Sequence, residues 1–245
     1  ASKGKACEEI GMRTKTEKLS ADISEAELLS LIQSYNQNND FHGILVQLPL
    51  PKHINEDKVI ETISPKKDVD GFHPISVGNL VIGKDTFASC TPAGIQELLI
   101  RYKIETKGKH VVVVGRSNIV GKPIANIMLQ KAEGANSIVT IVHSAAKDIS
   151  YYTKQADILI AAIGKAEMIK ADMVKDGVAV IDVGINRIDD PTKAKGYRIV
   201  GDVDFENVSK KASFITPVPG GVGPMTIAML LTNTYKAFLN INNMK

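Results

Sequence analysis

The sequence has 245 residues, 44% hydrophobic and 23% charged, with a formal net charge of +3, enough for one large or two modest globular domains. Its lysines and arginines are scattered rather than striped, which argues against nucleic acid as a partner, and no run approaches a membrane span or a signal peptide. Cys7 and Cys90 match no metal-ligand spacing, so no metal site is expected and they read as reduced thiols of a cytoplasmic protein.

The chain opens on ASKGKACEEIG, which has the look of mid-helix. Lys3, Lys5 and the Glu8-Glu9 pair line one side, Ala6, Cys7 and Ile10 the other, and Gly11 supplies the stop. Ser24 with Glu27 forms a capping box ahead of AELLSLIQSY. GILVQLPLP follows, a continuous apolar run closed by two prolines, expected as a buried parallel strand. A short helix is expected near Asn55 to Ile63, and SPKKDVDGFHP, dense in Pro, Asp and Gly, is loop.

From Thr91 the alternation is regular. TPAGIQELLIRY is a helix with Thr at the cap and Pro in its first turn. HVVVVG is strand, VGKPIANIMLQK helix, SIVTIVHS strand, DISYYTKQA helix, and DILIAAIG and VAVIDVG are strands. Strands so rich in Val and Ile, separated by helices, imply a parallel sheet covered on both faces. GPMTIAMLLTNTYKAFLN is a long final helix. The expected fold class is α/β with two lobes: an N-terminal α/β catalytic lobe at 1–91, a Rossmann-type dinucleotide-binding lobe at 92–217, and a loop and C-terminal helix at 218–245 returning to the first. The active-site cleft is expected between the lobes, at the carboxyl ends of the strands.

VVVVGRSNIVGKP stands where a Rossmann fold places its phosphate-binding turn, although it is not G-x-G-x-x-G. Gly115 permits a tight turn, and the next helix offers free N–H groups and a positive dipole end. On these residues alone, a turn glycine and a ligand-contacting glycine stay equally open. The second strand ends in His143-Ser144 with no acid to bond a ribose 2′-OH, and Arg116 stands in the first turn, which favours NADP over NAD. His143 itself reads as a surface or packed histidine.

In order, HGILVQLPLP, KDVDG, CTPAG, VVVVGRSNIVGKP, VIDVGINR, VGDVDF and FITPVPGGVGPMT closely resemble the bifunctional methylenetetrahydrofolate dehydrogenase/methenyltetrahydrofolate cyclohydrolase family, over essentially the whole chain from Lys3 onward. The resemblance implies oxidation of 5,10-methylenetetrahydrofolate to 5,10-methenyltetrahydrofolate with NADP, then hydrolysis to 10-formyltetrahydrofolate. The family pattern Tyr-x-x-x-Lys-x-Lys-Ala ends in SKGKA here, which makes Lys3 the catalytic lysine. It also places the family's tyrosine upstream of Ala1, so the chain is expected to be truncated at its start.

Further roles follow from the resemblance. Gln47 sits beside the lysine, within the substrate-binding Val46-Gln47-Leu48. On the residues alone, a satisfied core amide is an equal reading of Gln47, since an amide in an apolar run is costly unless bonded. Asp70 matches the family position that hydrogen-bonds the pterin ring, a task suited to a carboxylate that accepts from two N–H groups together. Asp68 reads as a turn residue only and Lys5 as a solvated one. Pro219, Gly220, Gly221, Val222 and Gly223 enter as substrate contacts. Gly115, Arg116, Ser117 and Ser144 match the NADP phosphate and ribose contacts, and Ile185 a backbone contact to the cofactor.

Lys3 serves as a proton acceptor only when partly neutral, whereas the free side chain titrates at about 10.4. Burial beside the folate cation is expected to push that value down. The family is usually dimeric, so a homodimer with tetrahydrofolate one-carbon derivatives as ligands is expected, with no nucleic-acid or membrane partner. Two alternatives stay open: an NAD-preferring, dehydrogenase-dominant relative, kept alive by the uncharged Ser144, and an inactive folate- or nucleotide-binding protein, against which Lys3, Gln47 and Asp70 together count.

Overall fold

Apolar strand runs with no polar alternation need cover on both faces, and the chain supplies it with intervening helices. A computed structural model describes residues 2–244. They divide into two compact units, residues 1–90 with 227–245, and residues 91–226.

The first unit is built from short helices: α1 (Ser2–Glu9), α2 (Glu25–Gln37), α3 (Glu56–Thr62) and α4 (Pro74–Val81). Helix α1 ends as its sequence suggests, with Gly11 at φ +77°, the left-handed conformation that glycine adopts at no steric cost. Ser24 and Glu27 form the capping box that starts α2, and the Asn55 side chain caps α3. The two helices bury Leu28, Ile32, Val59 and Ile63 in one cluster, against which Ile44, Val46 and Leu50 pack.

GILVQLPLP departs from the expected strand. Only Ile44 pairs, in a single parallel bridge to Asp68, with the Ile44 N–H donating to the Lys67 carbonyl at 2.8 Å. The neighbouring segment turns away after that contact, because Asp68 takes the following N–H groups for its own turn. Pro49 and Pro51 lack the N–H that a ladder needs. The run is consequently half-buried, and Gln47 is exposed.

The second unit opens with α5 (Cys90–Arg101), whose first residue lies in the first unit. Thr91 thus stands inside its first turn rather than at the cap, and Pro92 lies in that turn as expected, where a missing N–H breaks no intrahelical bond. The strands β1 (His110–Val114), β2 (Ile138–Val142), β3 (Ile158–Ala161) and β4 (Ala179–Asp182) follow. Between them lie α6 (Gly121–Leu129) and α7 (Ile149–Thr153).

A four-residue hairpin pair, β5 (Asn186–Asp189) and β6 (Tyr197–Val200), a short helix α8 (Phe205–Val208) and β7 (Phe214–Ile215) complete the strand region. Strands β2, β1, β3, β4 and β7, in that order, form one five-stranded sheet, and its pairings are all parallel. Every residue of β3 and β4 is buried, as is β1 beyond His110. The edge strands β2 and β7 are the exceptions, with Ile138 63% and Phe214 43% exposed, because an edge has a neighbour on one side only.

The antiparallel hairpin was not foreseen. Its strands alternate between half-buried and exposed positions until Val200, which is buried, and Arg187 lies 3.6 Å over the Tyr197 ring, a cation–π contact that ties the two strands together. The last helix, α9 (Val222–Ile241), begins in the second unit and continues into the first.

Candidate active site

In the first unit, α1 carries Lys3 and the half-buried run after Ile44 carries Gln47. The Lys3 ammonium donates to Gln47 Oε1 at 3.5 Å, and the Gln47 amide donates onward to the Leu48 carbonyl at 3.0 Å. Gln47 is therefore an exposed amide held at both ends rather than a buried core amide. Val46 and Leu48 line a hollow of about 10 Å³ with Asp70 and Phe72, so the structure brings these expected site residues together. A separate cavity of about 570 Å³ in this unit is lined by Lys66, Asn79, Asp85 and Lys236 among others and by none of them.

Asp70 has few donors. Its Oδ1 lies 3.9 Å from the Cys90 thiol, which is also 3.3 Å from the Val69 carbonyl oxygen. Burial is the main force on the Asp70 carboxyl and pushes it up to about 6; the Lys3 ammonium pulls the other way, and Asp68 adds to the rise. Cys90 is buried, and its thiol is pushed up to about 12, chiefly by desolvation and then by the Asp70 charge. It is thus an inert neutral neighbour.

Asp68, two residues earlier, is saturated. Its carboxylate accepts from the Gly71, Phe72 and His73 N–H groups at 3.1, 3.2 and 2.9 Å and from the Ser76 hydroxyl at 2.6 Å. It is a turn residue, as its spacing implies, and one that fixes the loop carrying Asp70. Gly71 is obligatory there, since a Cβ would lie 2.6 Å from the Phe87 carbonyl oxygen. Lys5 is exposed and pairs with Glu9 at 3.7 Å, the solvated role expected of it.

In the second unit, Gly115 follows β1 at φ +126°, and a Cβ there would lie 2.1 Å from the Ala162 carbonyl oxygen. Gly121 opens α6 with room for a Cβ likewise missing, 2.4 Å from the Gly115 oxygen. This is the tight turn that lets a ligand approach backbone. Ser117 does more than the sequence implied: its hydroxyl accepts from the Val120 and Gly121 N–H groups, both at 3.2 Å, bracing the turn that leads into α6. Arg116 is exposed and among the described residues has no ion-pair partner.

After β2, His143 turns the chain, its Nδ1 accepting from the Ala145 N–H at 3.3 Å, and leaves Ser144 exposed. Ile185, beyond β4, is 71% exposed, an apolar side chain in search of cover. The glycine-rich loop lies in this unit: Gly221 donates to the Pro217 carbonyl at 3.0 Å, Gly220 has φ +106°, and Val222 is buried at the start of α9. Pro219, Gly220 and Gly223 are exposed. A glycine cradle, an unpaired cation and an exposed apolar residue suit a phosphorylated dinucleotide.

Two carboxylates escaped the sequence reading although their motifs were singled out. Asp182 and Asp202 are buried, and the Asp182 carboxylate accepts the Asp202 N–H. An acid inside an otherwise apolar strand such as VAVIDVG was the available signal, because a buried charge demands donors.

Residues 1–70 match the catalytic domain of the family described as tetrahydrofolate dehydrogenase/cyclohydrolase, and residues 89–242 match its NAD(P)-binding domain. The chain is 63% identical over 245 residues to the bifunctional protein FolD of Chlorobium limicola, covering 99% of this chain and 83% of that one. The crystal structure of the bifunctional FolD methylenetetrahydrofolate dehydrogenase/cyclohydrolase from Campylobacter jejuni superposes with a TM-score of 0.91 at 53% identity, covering 98% of this chain and 82% of that one. The Trypanosoma brucei methylenetetrahydrofolate dehydrogenase-cyclohydrolase, solved with NADP and an inhibitor, gives 0.91 at 40% identity, covering 97% and 80%. With both domains matched in order and most of its residues shared with a bifunctional enzyme, the chain belongs to the tetrahydrofolate dehydrogenase/cyclohydrolase family.

Proposed function

We propose that this enzyme oxidises 5,10-methylenetetrahydrofolate to the 5,10-methenyl compound with NADP and hydrolyses that product to 10-formyltetrahydrofolate. The observation that carries the reading is the Lys3–Gln47 contact at 3.5 Å, in the same unit as a sparsely bonded carboxylate, Asp70. NADP, when bound, supplies the hydride acceptor. Gly115, Arg116, Ser117, Ser144 and Ile185 would hold it, with Arg116 on the 2′-phosphate. For the oxidation the protein's task is alignment rather than proton removal.

The hydrolysis needs a proton acceptor. Water attacks the methenyl carbon, a proton leaves, and a ring nitrogen is protonated as the bridge opens. Lys3, in its neutral amine form, is the group that takes that proton, and Gln47 orients it by accepting one of its hydrogens. Asp70 receives the N–H donors of the pterin; a carboxyl with a single weak donor of its own has the acceptor capacity free. Val46, Leu48 and the Pro219–Gly223 loop complete the substrate contacts.

A cytoplasmic homodimer without nucleic-acid or membrane partners goes with this reading. No helix among the described residues is long and apolar enough to cross a membrane. The test uses the full-length protein and its Lys3→Met variant with methylenetetrahydrofolate and NADP. The wild type should form methenyl and then 10-formyl product, and the variant should lose the second step by about a thousandfold while still binding NADP. Unchanged 10-formyl formation in the variant would overturn the assignment of Lys3.

A further inference from the structure

Asp182 and Asp202 are 3% and 0% exposed, and neither forms an ion pair among the described residues. A buried carboxylate with no cation needs several donors to replace its water. Asp182, closing β4, accepts from the Gly184 and Asp202 N–H groups on Oδ1 and from the Val203 N–H on Oδ2, each at 2.9 Å. Asp202 accepts on Oδ2 from Ile163 and Gly164 N–H at 2.6 and 2.9 Å. On Oδ1 it accepts from Lys165 N–H at 2.9 Å and the Asn186 amide at 2.8 Å.

Glycines make room for both groups. A Cβ on Gly201 would lie 1.8 Å from Asp182 Oδ2, and one on Gly184 2.3 Å from Asp202 Oδ1. The pair therefore ties together residues 163–165 beyond β3, 184–186 beyond β4, and 201–203. The first two segments leave the carboxyl edge of the parallel sheet, where open α/β sheets take their ligands.

Three consecutive N–H groups converging on one carboxylate form a nest, with Gly164 at φ +71°. In a trans peptide the carbonyl points opposite to the N–H of the next residue. Drawing the 163, 164 and 165 N–H groups inward thus turns the Ala162, Ile163 and Gly164 carbonyls away from Asp202. Ala162 faces Gly115. None of the three accepts a backbone hydrogen bond among the described residues.

We propose that Asp202, held by Asp182, is a positioning residue that presents the Ile163 and Gly164 carbonyls as acceptors for hydroxyl and amide donors on the nicotinamide-riboside half of the dinucleotide. The adenosine half, which Arg116 serves, does not depend on this nest. The inference rests on the NADP reading above.

Calorimetric titration of the full-length protein and Asp202→Asn with NADP and with adenosine 2′,5′-bisphosphate, which lacks the nicotinamide-riboside half, separates the two. An Asn side chain has one acceptor oxygen and puts an NH₂ against N–H donors, so the nest is broken. NADP should bind roughly tenfold more weakly, the worth of one or two hydrogen bonds, and the bisphosphate within about twofold of wild type.

Gly164→Ala, which strains the turn from the other side without touching the carboxylate, should reproduce the pattern, and it serves where Asp202→Asn does not fold. Equal weakening of both ligands, or no weakening of NADP, would overturn the inference alone. A wild type that binds the bisphosphate and NADP equally would overturn it too. A wild type that binds neither would overturn the NADP reading and this inference with it.

Discussion

Asp68 and Asp70 in the first unit and Asp182 and Asp202 in the second are all carboxylates placed where water is scarce, and they are treated differently. In the second unit both acids are saturated by N–H donors, and the five-stranded sheet beneath them holds its own backbone. That unit keeps the loops at the carboxyl edge of its sheet in place with main-chain geometry. In the first unit one acid, Asp68, is saturated, and the other, Asp70, has among the described residues only a thiol at 3.9 Å. There the side chains themselves are kept available, at a cost in stability. The contrast teaches where a buried charge is scaffold and where it is machinery: the count of donors decides it.

The comparison is broken most severely at Asp68. Asp68→Ala should cost about 3 kcal/mol or more in urea unfolding, because three N–H groups and a hydroxyl lose their acceptor together. A loss below 1 kcal/mol would mean that the loop holds itself.

Asp70→Asn should have the opposite sign. The Asp70 carboxyl, facing Lys3, Asp68 and Cys90, sits at about 6 when folded against about 3.9 unfolded. The folded state thus binds the extra proton between those values, and the wild type gains stability as pH falls from about 7 to about 4. Asn carries no charge at any pH. The variant should therefore be more stable at pH 8 by on the order of 2 kcal/mol, with the difference gone by about pH 4, while its turnover falls. Denaturant titrations at the two pH values check this; an advantage that is the same at both would remove the buried charge as the cause.

Arg116→Ala sharpens the comparison from the second unit. An exposed cation without an ion-pair partner contributes to a ligand rather than to the fold. NADP should bind tenfold to a hundredfold more weakly, NAD within about twofold, and the thermal midpoint should not move. Equal losses for both nucleotides would mean that Arg116 does not read the 2′-phosphate. The smallest effect belongs to Ser24→Ala, which removes the capping box of α2 at about 1 kcal/mol and should leave the kinetics of both reactions alone. A change in KM there would show that α2 reaches the site.

Much of this was legible in the sequence, and the reason is locality. The Val- and Ile-rich runs became β1, β3 and β4 because burial on both faces is written into every residue of such a strand. The Ser24–Glu27 box and the Gly11 stop act within one helical turn. Gln47 stood out as a polar amide inside an apolar run, whereas Lys3 and Asp70 were singled out by the resemblance of SKGKA and DVDG to the family's motifs.

Tertiary structure decided what depends on a distant partner. GILVQLPLP had the composition of a strand and formed a single bridge, since the segment opposite it was claimed by Asp68. The exposure of β2 follows from its place at the end of the strand order. The role of Asp202 rests on N–H groups up to 39 positions away; no window of sequence contains both sides of that bond, and only the folded chain brings them within 3 Å.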